Sequence, residues 1–237
     1  MTLAYLTRDQ YLQQLAERGS AKSNKQYVSY FGLKDDGEEA VVRFAYSDPS
    51  QFDVYTVHPV TIDGKFRKVN CLRGYHDPVE KCPLCEAGEP VQNKIYIKLI
   101  KYERSKDDNS INLVPCVWER PASYMTILNN LFSEYGDISD CVFKIRRSGE
   151  RGSLQTTYSI MFANPSVYNS QLYKKDFSAF EDYNVLGTAV LDKSYKEIVT
   201  DILGGEGDNN EEEVTAPQVN LTQEEQSINS GPKRITY

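Results

Sequence analysis

The chain has 237 residues and a formal net charge of −7 at pH 7, with 40% hydrophobic and 26% charged residues. This length provides one well-cored domain with appendages, and the composition is that of an ordinary globular protein. No run approaches the roughly 18 apolar residues of a membrane span, and the first residues lack the pattern of a secretory signal, so we expect neither insertion into a membrane nor export.

The negative charge is concentrated near the C-terminus. Residues 201–237 contain eight acidic and two basic residues, a net charge of −6, so residues 1–200 are close to neutral. After residue 203 the sequence is also poor in aromatic residues and rich in Glu, Asn, Gln and Gly. Such a composition cannot bury enough apolar surface to order itself, which predicts a disordered acidic tail over residues 204–237.

The first element is a predicted helical arm over residues 1–22. Thr7 is a capping residue, apolar residues recur at helical spacing, and Gly19 ends the pattern. A second helix is predicted in PASYMTILNNLFSEYG, with Pro121 near its start and Gly136 at its end.

Seven short runs rich in Val, Ile, Tyr and Phe lie between residues 27 and 162. They are YVSYFGL, AVVRFAY, FDVYTVH, KIYIKLIKY, INLVPCVW, CVFKIRR and TTYSIMF. Turn-forming stretches such as IDGK separate them, a pattern typical of an antiparallel barrel or sandwich. We therefore expect a mainly β protein with a few helices, an OB-fold barrel over residues 23–203 with an inserted subdomain at residues 57–92.

The subdomain is predicted from a set of metal-ligating residues. Cys82 and Cys85 form a C-x2-C knuckle, in which two thiolates of one tight turn meet a single ion, and Cys71 and His58 complete four ligands. His76, between Cys71 and the knuckle, is the alternative histidine. Mixed thiolate and imidazole ligands favour one Zn²⁺. Cys116 and Cys141 lie in apolar strands, which predicts buried core thiols.

The zinc is expected to be structural, and the protein is not expected to be an enzyme. No glutamate follows His58 at the spacing of zinc deaminases, and the H-E-x-x-H pattern of metalloproteases is absent. The sequence shows neither an open coordination position nor a catalytic acid cluster.

A surface for single-stranded nucleic acid needs cations for phosphates and rings for bases. Period-two alternation in KIYIKLIKY separates Ile95, Ile97 and Leu99 from a mixed cationic and aromatic face. A second basic strand follows in CVFKIRR, and one cation in AVVRFAY needs either an acid or a phosphate as partner. The complete set of predicted DNA contacts is Arg43, Arg73, Tyr75, Lys94, Tyr96, Lys98, Tyr102, Arg104, Lys144, Arg146 and Arg147.

The zinc segment resembles that of the helix-destabilising single-stranded-DNA-binding proteins of T-even bacteriophages. His58, the DGKF turn, Cys71, His76 and the CPLC knuckle occur in the family's order. EEAVVRFAYS resembles the family's strand with a single arginine, and FEDYNVLGTAV resembles a stretch near the end of its core. The resemblance spans roughly residues 25–190 and is most specific in the zinc segment.

The resemblance implies an OB fold, His58 as the zinc ligand, and a groove that binds single strands without sequence preference. It also implies cooperative coating of DNA in phage replication, recombination and repair, with self-association on DNA. The acidic tail would recruit replication and recombination proteins, in the cytoplasm of the infected bacterial host. Lys94, Tyr96, Lys98 and Tyr102 fall where the family's first strand after the zinc segment supplies contacts.

The chain also departs from the family pattern. One extra residue lies between Cys71 and His76, and Val79 stands where the family has a tyrosine, so Tyr75 is the candidate substitute. TRDQYLQQLAERG replaces the basic N-terminal motif for cooperativity, and the tail ends in basic and aromatic residues. The alternative function is a zinc-ribbon protein-interaction or transcription factor, which explains the knuckle and the tail but not Tyr96 and Tyr102.

Overall fold

A computed structural model describes residues 27–205, except residues 107, 109, 154 and 169–172. The predicted helical arm and all but the first two residues of the predicted tail lie outside the described residues. The strands are β1 (Ser29–Tyr30), β2 (Glu39–Phe44), β3 (Asp53–Ile62), β4 (Lys65–Asn70), β5 (Gln92–Arg104), β6 (Ile111–Pro121), β7 (Phe143–Ser148) and β8 (Thr157–Phe162). The helices are α1 (Pro83–Glu86), α2 (Tyr124–Tyr135) and α3 (Tyr195–Asp201). Among these helices, none has the length and apolarity to cross a membrane.

The eight strands form one mixed sheet in the order β1-β6-β5-β2-β7-β8. One edge of β5 pairs with β6 from Lys94 to Arg104, and its other edge pairs first with β3 and then with β2. β3 also forms an antiparallel hairpin with β4. Among the described strands, the pairing of β1 with β6 is the parallel one.

The sheet curls strongly around its core. β6 and β8 are four strand positions apart, which in a flat sheet corresponds to about 19 Å. The ring centroids of Trp118 on β6 and Tyr158 on β8 nevertheless lie 5.3 Å apart. The described strands do not include a closing pair, so the OB barrel stays a prediction.

The core lies inside the curl and is covered by α2. Ile95, Ile97 and Leu99 of β5 are fully buried in it, together with Leu128 of α2. Gly136 ends the helix with a φ of 70°, in the left-handed region that glycine tolerates best. The predicted helix and its glycine stop are confirmed.

All seven predicted β segments contain a strand, but β4 was not predicted. Its sequence KFRKVN carries three cations, and Val69 is the one of its six residues that is buried. The strand forms because Asp63 and Gly64 have positive φ values of 50° and 70°, as a tight hairpin turn requires, and this turn pairs the segment with β3.

The two cysteines outside the knuckle differ in their positions. Cys116 is buried in β6, as predicted. Cys141 does not lie in a strand: it is half-buried after the short 3-10 turn Ile138–Asp140, and β7 begins two residues later. Its thiol still packs against the core.

A buried arginine links β2 to the second half of the chain. The guanidinium of Arg43 donates to the Tyr102 hydroxyl and to the backbone oxygens of Ser139 and Tyr173, each at 3.0 Å. Neither partner expected from the sequence, an acid or a phosphate, is among these contacts. Instead, Arg43 anchors the chain around Tyr173 onto the sheet.

We expect Arg43→Met to lower the free energy of unfolding by about 2–4 kcal/mol, because two buried carbonyls and a hydroxyl lose a charged donor. Urea denaturation measures this change. Arg146→Met is the matched control: Arg146 is exposed on β7, so its loss should cost no more than about 0.5 kcal/mol. Equal costs for the two substitutions would contradict an anchoring role for Arg43.

Candidate metal centre and the adjoining hairpin face

Three pieces of local structure bring the four predicted ligands together. His58 lies in β3, Cys71 directly follows β4, and Cys82 and Cys85 lie at the start and inside of α1. The amide of Cys71 donates to the carbonyl of Thr56 at 2.9 Å, which holds the end of β4 beside β3. One nitrogen and three sulfur atoms then lie within 4.8 Å of one another. This cluster could hold a metal ion such as zinc.

The spacing of the ligand atoms fits a tetrahedral zinc ion. With Zn–S bonds of about 2.3 Å and a Zn–N bond of about 2.0 Å, tetrahedral ligand atoms lie about 3.5–3.8 Å apart. His58 Nε2 is 3.5 Å from the sulfur atoms of both Cys82 and Cys85. The sulfur atoms of Cys71 and Cys85 are 3.6 Å apart. These separations leave room for the ion between the ligands.

The tautomer of His58 also suits a ligand. Its Nδ1 lies 3.0 Å from the carbonyl oxygen of Pro90, which can only accept a hydrogen bond, so Nδ1 carries the proton. Nε2, the atom that faces the sulfurs, is then free to bind a cation. Burial lowers the pKa of His58 and favours this neutral form.

The knuckle is a tight turn that presents two thiols to one point. Pro83 occupies the first position of α1, and the amide of Glu86 donates to the carbonyl of Cys82 at 3.0 Å. Burial acts to raise the pKa of Cys82, but backbone amides of Leu72, Cys85 and Leu84 donate to its sulfur and lower it overall. Burial raises the pKa of Cys71 to about 12. A bound cation would remove the cost of burying the Cys71 thiolate.

A small apolar core packs beside the metal-ligand cluster. Val60 and Val69 of the hairpin, Leu84 of the knuckle and Ile198 of α3 are buried together. The chain leading into α3 is fixed to β4, because Leu191 accepts from the amide of Asn70 at 3.0 Å and donates to Lys68 at 2.8 Å. The hairpin, the knuckle and α3 therefore form one lobe.

The geometry decides between the two histidines. His76 is exposed, and its ring meets that of Tyr75 edge-on at 4.7 Å, outside the ligand cluster. Among the described residues, His58 is the histidine that lies in the metal-ligand cluster. The expectation for His58 is confirmed at the level of a cluster that could bind a metal.

Four of the predicted DNA contacts are buried, contrary to expectation. They are Arg43, Tyr96, Tyr102 and Arg147. The face of β5 that carries both tyrosines packs against Tyr173, Phe180, Val185 and Val190 instead of facing solvent. Arg147 is held inside by hydrogen bonds to the Tyr158 hydroxyl at 3.3 Å and to the carbonyl of Glu150 at 2.8 Å.

The predicted lysines on β5 and β7 are half-buried and are paired with acids. Lys98 contacts Asp53 at 2.9 Å and Lys94 contacts Glu119 at 3.5 Å. Lys144 and Arg146 both lie near Glu39, at 3.0 Å and 3.9 Å.

The remaining predicted contacts differ in their exposure. Arg104 is exposed and Arg73 is half-buried. Tyr75 is 91% exposed. The structure therefore does not gather the predicted DNA contacts on one accessible surface.

A group of partly exposed aromatic and basic residues beside the metal lobe was not predicted from the sequence. We define the hairpin face as Tyr30, Phe66, Lys68 and Lys94. The rings of Tyr30 and Phe66 are 65% and 63% exposed. Lys68 Nζ lies 5.3 Å from the centroid of the Phe66 ring and 2.6 Å from a carboxylate oxygen of Glu119, which Lys94 also contacts. The alternation of cations and a ring in KFRK, after a hairpin turn, was the signal in the sequence.

The hairpin folds over the sheet to form this face. In a flat sheet β4 would lie three strand positions, about 14 Å, from β6. The direct ion pair between Lys68 of β4 and Glu119 of β6 therefore requires the hairpin to bend toward the face of β5 that carries Tyr96. Burial raises the pKa of Tyr30, and Tyr183 and Glu119 lie close enough to add to this shift.

No model of a known protein family matches the chain, and no curated protein matches its sequence. The family resemblance thus depends on the quoted motifs themselves.

We expect the purified protein to contain about one zinc ion per chain, measured by inductively coupled plasma mass spectrometry, because the donor set is complete at four ligands. His58→Ala should lose most of this zinc and destabilise residues 57–92, since structural zinc holds its lobe together. His76→Ala is the matched control and should retain it. Full zinc content in His58→Ala would show that the cluster is not the binding site.

Proposed function

We propose that the protein binds single-stranded DNA without sequence preference and coats it, with the curled sheet forming an OB barrel and a structural zinc ion holding the metal lobe. The observation that carries the proposal is the hairpin face. Its exposed Phe66 ring lies next to Lys68 at the edge of the metal lobe, and Tyr30 adds a second exposed ring. Rings and lysines together are the combination that stacks bases and holds phosphates.

The metal centre contributes indirectly to this function. His58, Cys71, Cys82 and Cys85 would hold the ion, which cross-links β3, β4 and α1 and supplies no reactive group. Because Phe66 and Lys68 lie in the same hairpin as His58, the lobe positions them over the sheet. Binding of single strands is therefore expected to depend on an intact lobe.

The motifs shared with T-even phage proteins favour the same function from the sequence. On that basis the protein acts in phage DNA replication, recombination and repair in the cytoplasm of the infected host. The acidic residues after position 203 would recruit replication and recombination proteins, and neighbouring copies would associate on DNA. Catalysis is not part of the proposal.

Titration of the full-length protein with oligothymidylate should quench its intrinsic tyrosine fluorescence. The logarithm of the affinity should fall with the logarithm of salt concentration at about −0.7 per phosphate contact, or about −3 to −4 for four to six contacts. Zinc without any quenching would instead favour a zinc-ribbon interaction module. A salt-independent affinity would contradict an electrostatic groove.

Tyr30→Ala and Phe66→Ala should each weaken binding by about 1–3 kcal/mol, because each removes one ring on which a base stacks. Anisotropy of dye-labelled oligothymidylate measures the affinity without depending on protein fluorescence. Tyr195→Ala is the control, since Tyr195 is an exposed tyrosine on α3 and not part of the hairpin face. Equal losses in all three variants would argue against this face.

A further inference from the structure

Glu119 occupies the position between the two lysines of the hairpin face. Its carboxylate lies 2.6 Å from Lys68 Nζ and 3.5 Å from Lys94 Nζ, with one oxygen toward each. All three side chains are about four-fifths covered, at 18%, 20% and 19% exposure for Lys68, Lys94 and Glu119. The carboxylate thus neutralises the cations that a phosphate would need.

We propose that Glu119 is an internal substitute for phosphate, which weakens the binding of single-stranded DNA by holding Lys68 and Lys94 in the free protein. When a strand binds, the two lysines exchange the carboxylate for backbone phosphates. This inference depends on the proposed function. It identifies Glu119 as the residue that limits the affinity of the protein for single-stranded DNA.

The position of Glu119 supports exchange over a permanent structural pair. It lies directly across from Tyr96 on β5, whose hydroxyl has no hydrogen-bond partner among the described residues although Glu119 is its neighbour. The carboxylate is therefore committed to the lysines and not to the sheet around it. A second pair on the same face, Lys98 with Asp53 at 2.9 Å, holds another cation in the same way.

Electrostatics also favours the exchange of the Glu119 carboxylate for phosphates. Release of Lys68 and Lys94 lets two cations meet phosphates and displace condensed counterions from the strand. The ion pairs of the free protein are largely covered, so the lysines can leave Glu119 only for another anion, which the backbone phosphates supply. An affinity that increases when an acidic residue is neutralised separates this mechanism from a merely structural role, because damage to the fold would reduce it.

The experiment compares Glu119→Gln with the wild type in the full chain, using dye-labelled oligothymidylate and a range of salt concentrations. We expect binding about three- to tenfold tighter at low salt and a salt slope steeper by about 0.7–1.4, because one or two phosphate contacts form without competition. Glu119→Asp, which keeps the charge, should remain close to the wild type. Unchanged or weaker binding by Glu119→Gln would overturn the inference.

A matched control excludes a general effect of net charge. Glu103→Gln changes the net charge equally and breaks a similar ion pair, that of Glu103 with Lys101 at 2.7 Å on β5. It should leave the affinity within about twofold of the wild type, since it frees no cation of the hairpin face. If Glu103→Gln tightens binding as much as Glu119→Gln, the inference fails.

The same experiment distinguishes failure of the proposed function from failure of the inference about Glu119. A wild-type protein that does not bind oligothymidylate at low salt removes the proposed function itself, whereas wild-type binding with no gain in Glu119→Gln removes only the inference. Thermal unfolding shows whether Glu119→Gln is folded. If it is not, Glu119→Thr removes the same charge with a residue suited to a strand and is held to the same expectation.

Discussion

The architecture depends on one strand that is covered on both faces. β5 is 13 residues long and pairs with β6 on one side and with both β3 and β2 on the other. One set of its alternating residues fills the main core, and the other set lies under residues 173–190. Every other strand, including the hairpin that carries His58, pairs with this strand directly or through one or two neighbouring strands.

The double covering of β5 also determines where DNA could bind. A single strand cannot reach Tyr96 or Tyr102 while residues 173–190 pack over them. Exposed rings occur instead where the hairpin bends back over the sheet, beside two lysines that Glu119 holds in the free protein. The metal lobe and the proposed binding face share the β3–β4 hairpin, which carries His58 as well as Phe66 and Lys68.

The metal cluster could be predicted almost completely from the sequence, because ligand type and spacing are local properties of the chain. The helix over Tyr124–Tyr135 was equally readable from its periodicity and its glycine stop. The proposed nucleic-acid face could not be predicted in the same way. Period-two alternation shows that Tyr96 and Ile97 point in opposite directions, but it does not show which face a later segment covers. Residues 173–190 contain little regular structure. Their sequence therefore has no hydrophobic periodicity from which packing on β5 could be predicted.

The anchoring of Arg43 has a consequence for synthesis. Its carbonyl partners on Ser139 and Tyr173 follow it by 96 and 130 residues in the chain. Until both have been made, the guanidinium needs water, because a buried cation without partners is costly. In a nascent chain that lacks Ser139 and Tyr173, water therefore remains in contact with Arg43 on β2. The interior of this protein is completed from its C-terminal half, and a chain truncated before Tyr173 keeps a hydrated charge at the centre of its sheet.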